Sequence, residues 1–263
     1  MALPAAVAHG GAGAGPERLA NVERAVAIAA TILESGGSAV EAAVEACVIL
    51  EDDPVFNAGT GSVFRTDGSV QLDASIQTSD GRIGFVIAIE DTPNPIRVAA
   101  ELLDQEINGL TGEGARLWAD ERGIKRAPVE GRPPFEKATD TVGVIARDKG
   151  GAIACATSTG GCSDRPSGRV GDVPLPGCGF WVQDCVGVGA TGIGEAITRG
   201  ILSYRVAERI LAGNDLEESM IWALDNCVED GAEVGIIALG SEGTGHGVSN
   251  STNMPWSSWI ARK

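Results

Sequence analysis

The chain of 263 residues contains two histidines, His9 and His246, one tyrosine and only 4% aromatic residues. Neither histidine belongs to an H-x-x-x-H pair and no two cysteines form a C-x-x-C, so the ligand spacings from which zinc and di-iron sites are built are missing. Basic residues are also scarce, with 20 Lys+Arg against 36 Asp+Glu and a formal net charge of −16. Nucleic acids and anionic membrane surfaces bind basic patches that displace counterions, so neither is an expected partner. No apolar run reaches the ~18 residues of a membrane span; the longest candidate, Ala25 to Leu33, falls inside a helical pattern. Met1 to Ala8 lacks the basic and apolar segments of a secretory signal, and the expected location is cytoplasmic. The six cysteines, Cys47, Cys155, Cys162, Cys178, Cys185 and Cys227, are therefore expected to be free thiols, mostly buried.

Glycine is abundant instead, at 37 residues, while proline stays at 12. A surplus of this kind belongs in tight turns and close backbone approaches. Ala5–Ala8 reads as a strand running into a His9-Gly10-Gly11-Ala12-Gly13 turn. From Pro16, Leu19, Val22, Val26, Ala29 and Leu33 recur at helical spacing until Gly36-Gly37 stops them. Ser38 and Glu41 form a capping box that opens a second helix to about Leu50. Ser62–Arg65, Val70–Ile76 and Ile83–Ile89, separated by Asp67-Gly68 and Asp80-Gly81, predict an antiparallel meander. Helices are expected over 94–105 and 112–122, an exposed Pro/Gly-rich linker over 127–140, and a hairpin from Thr141–Arg147 and Ala152–Thr157. A strand over 180–188, helices over 195–211 and 216–228, and strands over 233–239 and near Val248 complete the pattern. Strands adjacent in sequence with helices on either side, rather than a βαβα alternation, give an α+β class.

Histidine scarcity narrows the chemistry. The His9 turn is like an oxyanion loop of the H-G-G-G type, but no G-x-S-x-G nucleophile elbow accompanies it. Gly187, Gly189 and Gly192 match the spacing of a dinucleotide loop without a parallel βαβ unit around them. Asp140-Thr141-Val142-Gly143, where the linker runs directly into a strand, is more informative. Taken alone, a threonine opening a strand reflects ordinary β-propensity. Cleavage before Thr141 would place a hydroxyl and a free α-amine on one residue, and an α-amine with a pKa of ~7.7–8.0 can serve as the base that histidine supplies elsewhere.

Ala156-Thr157-Ser158-Thr159-Gly160-Gly161, Gly168-Arg169-Val170-Gly171-Asp172 and Ala190-Thr191-Gly192-Ile193-Gly194-Glu195 follow in order. The first half adds the His9 turn, Phe56-Asn57-Ala58-Gly59-Thr60-Gly61-Ser62 and Leu72-Asp73-Ala74-Ser75-Ile76, and the C-terminus adds Asn250-Ser251-Thr252-Asn253-Met254. Together these resemble the plant-type L-asparaginase and isoaspartyl peptidase family of N-terminal-nucleophile threonine hydrolases over almost the whole chain.

The resemblance implies a single domain with a four-layer αββα sandwich, two antiparallel sheets flanked by helices. It implies self-cleavage between Asp140 and Thr141 into an α segment 1–140 and a β segment 141–263. Thr141 would be the nucleophile and Thr159 its hydrogen-bond partner. The Thr191 hydroxyl and the Gly192 N–H would be oxyanion donors, with Asn57 ordering the Thr141 region. Arg169 and Asp172 would clamp the α-carboxylate and α-ammonium of a zwitterionic substrate, with Gly192 and Gly194 alongside. Substrates would be L-asparagine and β-aspartyl dipeptides. No catalytic cofactor is implied; a structural sodium would sit on Leu50, Glu51, Asp53, Phe56, Ala58 and Thr60, bound mainly by backbone oxygens. Two precursors would pair as an (αβ)₂ homodimer. The segment after Gly13 and the linker are both shorter than in many relatives, and Ile193 stands where asparaginases often have His. Two alternatives stay open at this point: a glycosylasparaginase-like amidase, and a catalytically inactive aspartate-binding member.

Overall fold

The computed structural model describes residues 2–133 and 141–262. Strand β1 (Ala5–His9) is followed by helices α1 (Leu19–Glu34) and α2 (Ala39–Asp52), then by β2 (Leu72–Thr78) and β3 (Ile83–Ile89). Helix α3 (Pro95–Glu101), a short β4 (Gly109–Thr111) and α4 (Gly112–Asp120) complete the first half. The second half runs through β5 (Val142–Arg147), β6 (Ile153–Thr159), β7 (Phe180–Gln183), β8 (Val186–Gly192), α5 (Gly194–Gly200), α6 (Leu202–Leu211), α7 (Leu216–Cys227), β9 (Val234–Leu239), β10 (His246–Ser249) and β11 (Trp256–Ile260).

The strands form one sheet in the order β11-β1-β5-β6-β2-β3-β4 and another in the order β10-β9-β8-β7. Every pairing is antiparallel except that of β4, which runs parallel to β3. Three apolar clusters account for the layering. One joins α1–α4 to the outer face of the large sheet, and its helices contribute small residues such as Ala25, Ala29, Ala42, Ala43 and Ala46 that bring helix close to sheet. The second joins α6 and α7 to the small sheet. The third, with Val7, Ile145, Phe180 and Ile237, lies between the two sheets. The result is the expected four-layer αββα sandwich.

Local signals behave as the chemistry requires. The Ser38 hydroxyl accepts the Glu41 N–H at 3.1 Å and opens α2, and Gly36 adopts a positive φ just beyond α1. Four expectations need correction. Ser62–Arg65 is no strand: Val63 makes an isolated bridge to Arg132, because the side chain of Asn57 takes the Val63 N–H (3.1 Å) that a ladder would use. The strand expected over 180–188 is two, since the chain reverses at Asp184 and β8 runs on to Gly192. The helix expected over 195–211 breaks at Ile201, which takes a left-handed conformation with φ 47°. Three of the six free cysteines, Cys47, Cys155 and Cys178, are buried; Cys162 and Cys227 are half-buried and Cys185 is exposed. The described part of the linker, residues 127–133, carries neither helix nor strand, whereas residues 134–140 lie outside the described residues.

Polar residues join the layers. Arg147, fully buried at the end of β5, donates to Leu3 O at 2.9 Å, to Gly240 O, and to Gly243 O at 2.9 Å. One guanidinium thus ties the N-terminus and the β9–β10 loop of the small sheet to the large sheet. Arg147→Ala leaves these carbonyls unsatisfied, and we predict a loss of roughly 3–5 kcal/mol of folding stability in chemical denaturation. A change below about 1 kcal/mol would contradict this assignment.

Candidate active site

Thr141 stands immediately before β5, whose Val142 pairs with Ser158 of β6, so Thr141 is level with Thr159 at the end of that strand. The Thr141 hydroxyl lies 3.3 Å from Thr159 Oγ1, which also accepts the Gly161 N–H at 3.0 Å. With one acceptor site of Thr159 taken by a backbone donor, its remaining capacity turns to Thr141. Asn57 does not touch Thr141. Its backbone carbonyl accepts from Gly160 N at 2.8 Å and its Nδ2 donates to Gly161 O, so it fixes the turn that in turn holds Thr159.

Thr191 and Gly192 come from the other sheet, at the end of β8. The Thr191 hydroxyl accepts the Ala12 N–H at 3.2 Å and donates to Thr141 O at 3.5 Å. Gly192 has φ 130°, and a Cβ there would lie 2.2 Å from Glu233 O, so only glycine fits.

Thr141, Thr159, Gly161, Cys162, Arg169, Gly171, Asp172 and Gly192 line one pocket. Arg169 is held in bidentate geometry by Glu195, with Nε to Oε1 at 3.1 Å and Nη2 to Oε2 at 2.8 Å. Asp172 is buried and, among the described residues, its Oδ2 has no hydrogen-bond partner. Burial pushes its carboxyl up to about 7, against the opposing pull of Arg169. A Cβ at Gly194 would come within 2.7 Å of Asp172 Oδ1 and 2.9 Å of Arg169 Nη2, so this glycine lets α5 start against both clamp residues. The pocket therefore brings together a hydroxyl, a guanidinium and, among the described residues, a buried carboxylate oxygen without a donor. A small zwitterion with an ammonium for Asp172 completes that set.

Several contributors escaped sequence reasoning. Glu195 reads as an ordinary first-turn acid, and its role in aligning Arg169 depends on a contact across 26 positions. Asp73, opposite Thr159 in the β2–β6 ladder, is buried, accepts Ala88 N at 2.8 Å, and has its carboxyl raised to about 6 by burial. Arg65 lies buried behind Gly161. The signals available were the Leu72-Asp73-Ala74 motif for Asp73 and the Ala190–Glu195 motif for Glu195, and neither pointed to these roles. The histidines are not part of the pocket. His9 is buried, its Nδ1 accepts Gly11 N at 3.2 Å, and burial brings its pKa down to about 3, which leaves a neutral ring with little basicity. His246 packs on Trp256 beside Glu217. Asp140 and the Asp140–Thr141 bond lie outside the described residues.

The expected sodium loop is the turn after α2. Asp53 is occupied by Asn21 Nδ2 at 2.6 Å and Val55 N at 3.2 Å, and Glu51 accepts Ile96 N at 3.1 Å. Burial pushes the Glu51 carboxyl up to about 8, against the pull of its hydrogen bonds. Glu51 O and Pro93 O crowd Gly59 while Phe56 O and Pro54 O crowd Gly61. Thr60 is exposed, whereas Leu50, Phe56 and Ala58 are buried. Among the described residues no group of three or more His, Cys, Asp or Glu side chains converges.

Comparison with known proteins agrees with this geometry. The family model described as asparaginase matches residues 2–132 and 128–263. An isoaspartyl peptidase/L-asparaginase of Danio rerio is 36% identical over 286 residues, covering 97% of this chain and 91% of that protein. The Homo sapiens protein of the same name is 36% identical over 285 residues (96% and 92% covered), and that of a Synechocystis species 33% over 273 (91% and 83%). With a pocket of this composition and matches along its full length, the chain belongs to the asparaginase family.

Proposed function

We propose that the protein is a self-processing amidohydrolase that converts L-asparagine to L-aspartate and ammonia and cleaves β-aspartyl dipeptides. The observation that carries this reading is one pocket holding Thr141 and Thr159 from the large sheet, Gly192 from the small one, and the Arg169–Asp172 pair. Cleavage before Thr141 frees its α-amine, which takes the hydroxyl proton as Oγ1 attacks the side-chain carbonyl. Thr159 orients that hydroxyl. The oxyanion is received by the Thr191 hydroxyl and the Gly192 N–H, and the amine proton passes to the departing ammonia or amine. Water then attacks the acyl-enzyme by the same path and releases aspartate. Arg169, aligned by Glu195, holds the α-carboxylate, and Asp172 holds the α-ammonium.

The neutral backbone carbonyls of the 50–61 loop suit a monovalent cation bound for structure. Glu51, Phe56 and neighbouring backbone oxygens would hold this sodium. The free thiols support a reducing, cytoplasmic setting. Pairing into a homodimer follows the family reading and is supported by exposed apolar side chains at Val170, Ile201 and Tyr204.

Three outcomes test the proposal. Incubated wild-type protein should yield two fragments by mass spectrometry, the second starting at Thr141, whereas Thr141→Ala stays uncut and hydrolyses no asparagine. Persistence of a single uncut wild-type chain, or activity of the variant, contradicts the mechanism. Both Asp172, with its pKa raised to about 7, and the Thr141 amine, near ~7.7–8.0, must be unprotonated in the free enzyme. We therefore predict that log(kcat/KM) climbs with a slope near two below about pH 7 and levels off above about pH 8. A slope of one would mean that Asp172 is already ionised there. Finally, replacing sodium chloride by choline chloride at constant ionic strength should lower Tm, in proportion to the logarithm of sodium concentration. An unchanged Tm removes the sodium.

A further inference from the structure

The turn that follows β10 has no part in the reaction just described, yet it contacts what stands behind both oxyanion donors. Asn250 grips the start of β9 with three hydrogen bonds: Oδ1 accepts Val234 N at 2.7 Å, Nδ2 donates to Ala232 O at 2.9 Å, and Asn250 N donates to Val234 O at 3.1 Å. The side chain and backbone of one residue thereby fix the segment 232–234 on both sides of Glu233.

Glu233 O is the atom against which the oxyanion glycine is set. It accepts Ile193 N at 3.0 Å and approaches Gly192 so closely that a Cβ there would lie 2.2 Å away. A shift of this carbonyl moves the Gly192–Ile193 peptide bonded to it and, through the Gly192 Cα packed against it, the neighbouring Gly192 N–H. The other donor is held from the same turn. Ser251 Oγ lies 3.2 Å from Gly13 N as its acceptor, and Asn253 O accepts that N–H at 2.8 Å. Gly13 follows Ala12, whose N–H donates to Thr191 Oγ1 at 3.2 Å. A hydroxyl that accepts from a fixed backbone donor directs its own proton elsewhere; here it points at Thr141 O over a long 3.5 Å contact, from which it can turn to the oxyanion in the reaction. Ser249 locks the turn internally through Ser251 Oγ at 2.6 Å and Val234 O at 3.0 Å.

We propose that the Ser249–Asn250–Ser251 turn is a buttress for the oxyanion hole, with Asn250 the positioning residue for the Gly192 N–H and Ser251 for the Thr191 hydroxyl. The inference rests on the amidohydrolase reading above. Donors aimed at developing charge act in the transition state and contribute little to ground-state binding, so the buttress should appear in kcat and not in KM. The clamp residues Arg169 and Asp172 receive no hydrogen bond from this turn.

The test uses full-length protein after self-cleavage, with the processed fraction quantified by mass spectrometry so that kcat refers to cleaved enzyme alone. We expect Asn250→Ala to lower kcat for asparagine by about 10- to 100-fold and Ser251→Ala by a smaller factor, with KM changed less than about threefold in both. Ser251→Thr, which keeps the hydroxyl, should recover most of the Ser251→Ala loss. Affinity for L-aspartate, measured by calorimetry, should stay within about threefold of wild type, a readout that general loosening of the fold would move. Wild-type kcat in Asn250→Ala overturns the proposal, as does a rise in KM and in the aspartate Kd that matches the fall in kcat. A wild-type enzyme that turns over neither asparagine nor a β-aspartyl dipeptide overturns the underlying reading, and the buttress with it. Should Asn250→Ala fail to fold, the Ser251 pair decides: equal kcat in Ser251→Ala and wild type overturns the proposal.

Discussion

The site depends on how closely the two sheets approach one another. Thr141 stands just before β5 in the large sheet and Thr191-Gly192 closes β8 in the small one, and they meet because glycine and short polar side chains are interleaved with the apolar cluster between the sheets. A Cβ at Gly187 would lie 2.8 Å from Ile145 and 2.9 Å from Ile153. Ser75 Oγ reaches Thr157 Oγ1 at 2.7 Å and Val173 O at 2.7 Å, and Gln77 Oε1 accepts Val182 N at 2.9 Å from β7. Larger residues in these places would spread the layers and part nucleophile from oxyanion donors by more than a hydrogen bond can span. Packing between the sheets and catalytic geometry are one constraint.

Within that frame, the pocket concentrates charge at low solvent access. Arg169 and Arg65 stand near Asp73 and Asp172, with Glu195 at the edge, and burial shifts both aspartates upward. Each acid holds the other back from ionising while the guanidiniums pull in the opposite direction. In the proposed function the ammonium of an arriving amino acid relieves the cost at Asp172, and its α-carboxylate meets Arg169. A zwitterion adds no net charge to the cluster, whereas a ligand with only one of the two groups leaves either Arg169 or Asp172 without its counterpart. Selectivity for an α-amino acid end therefore follows from burial as much as from the contacts themselves.

Much of this was legible in the sequence, but unevenly. Helix periodicity and the Ser38–Glu41 box located α1 and α2, because these signals act within a few residues. The breaks at Asp184 and Ile201 were not legible. A positive φ at a non-glycine residue is imposed by surroundings, and for Ile201 these are the α5–α6 junction packed on the Gly177 turn. Strands β4 and β11 were missed for a related reason: β4 spans three residues and β11 pairs with β1 from the other end of the chain. In the site, Thr141, Arg169, Asp172 and Gly192 could be picked out because their motifs kept order along the chain. Glu195 could not, since a glutamate in a first helical turn already has a sufficient explanation in the helix dipole.

The scarcity of histidine and the abundance of glycine have one physical basis. His9 lies in a fully enclosed position beside β5, where a charged imidazolium would lose its hydration without an acid to compensate, and its pKa of about 3 reflects that. A base for hydrolysis near neutrality must come from a group that water can reach or that cleavage creates. In the proposed mechanism the Thr141 amine meets that condition only when the chain is cut, so the chemistry would be withheld from the uncut chain by covalent structure instead of by conformation. Glycine then takes up the demand that bulky residues would have frustrated: Gly192 against Glu233 O, and Gly194 against Asp172 and Arg169. At each place a single methyl group would displace a donor or a clamp residue. A site made from backbone donors, short hydroxyls and one guanidinium can therefore be assembled in a chain that is poor in histidine and rich in glycine.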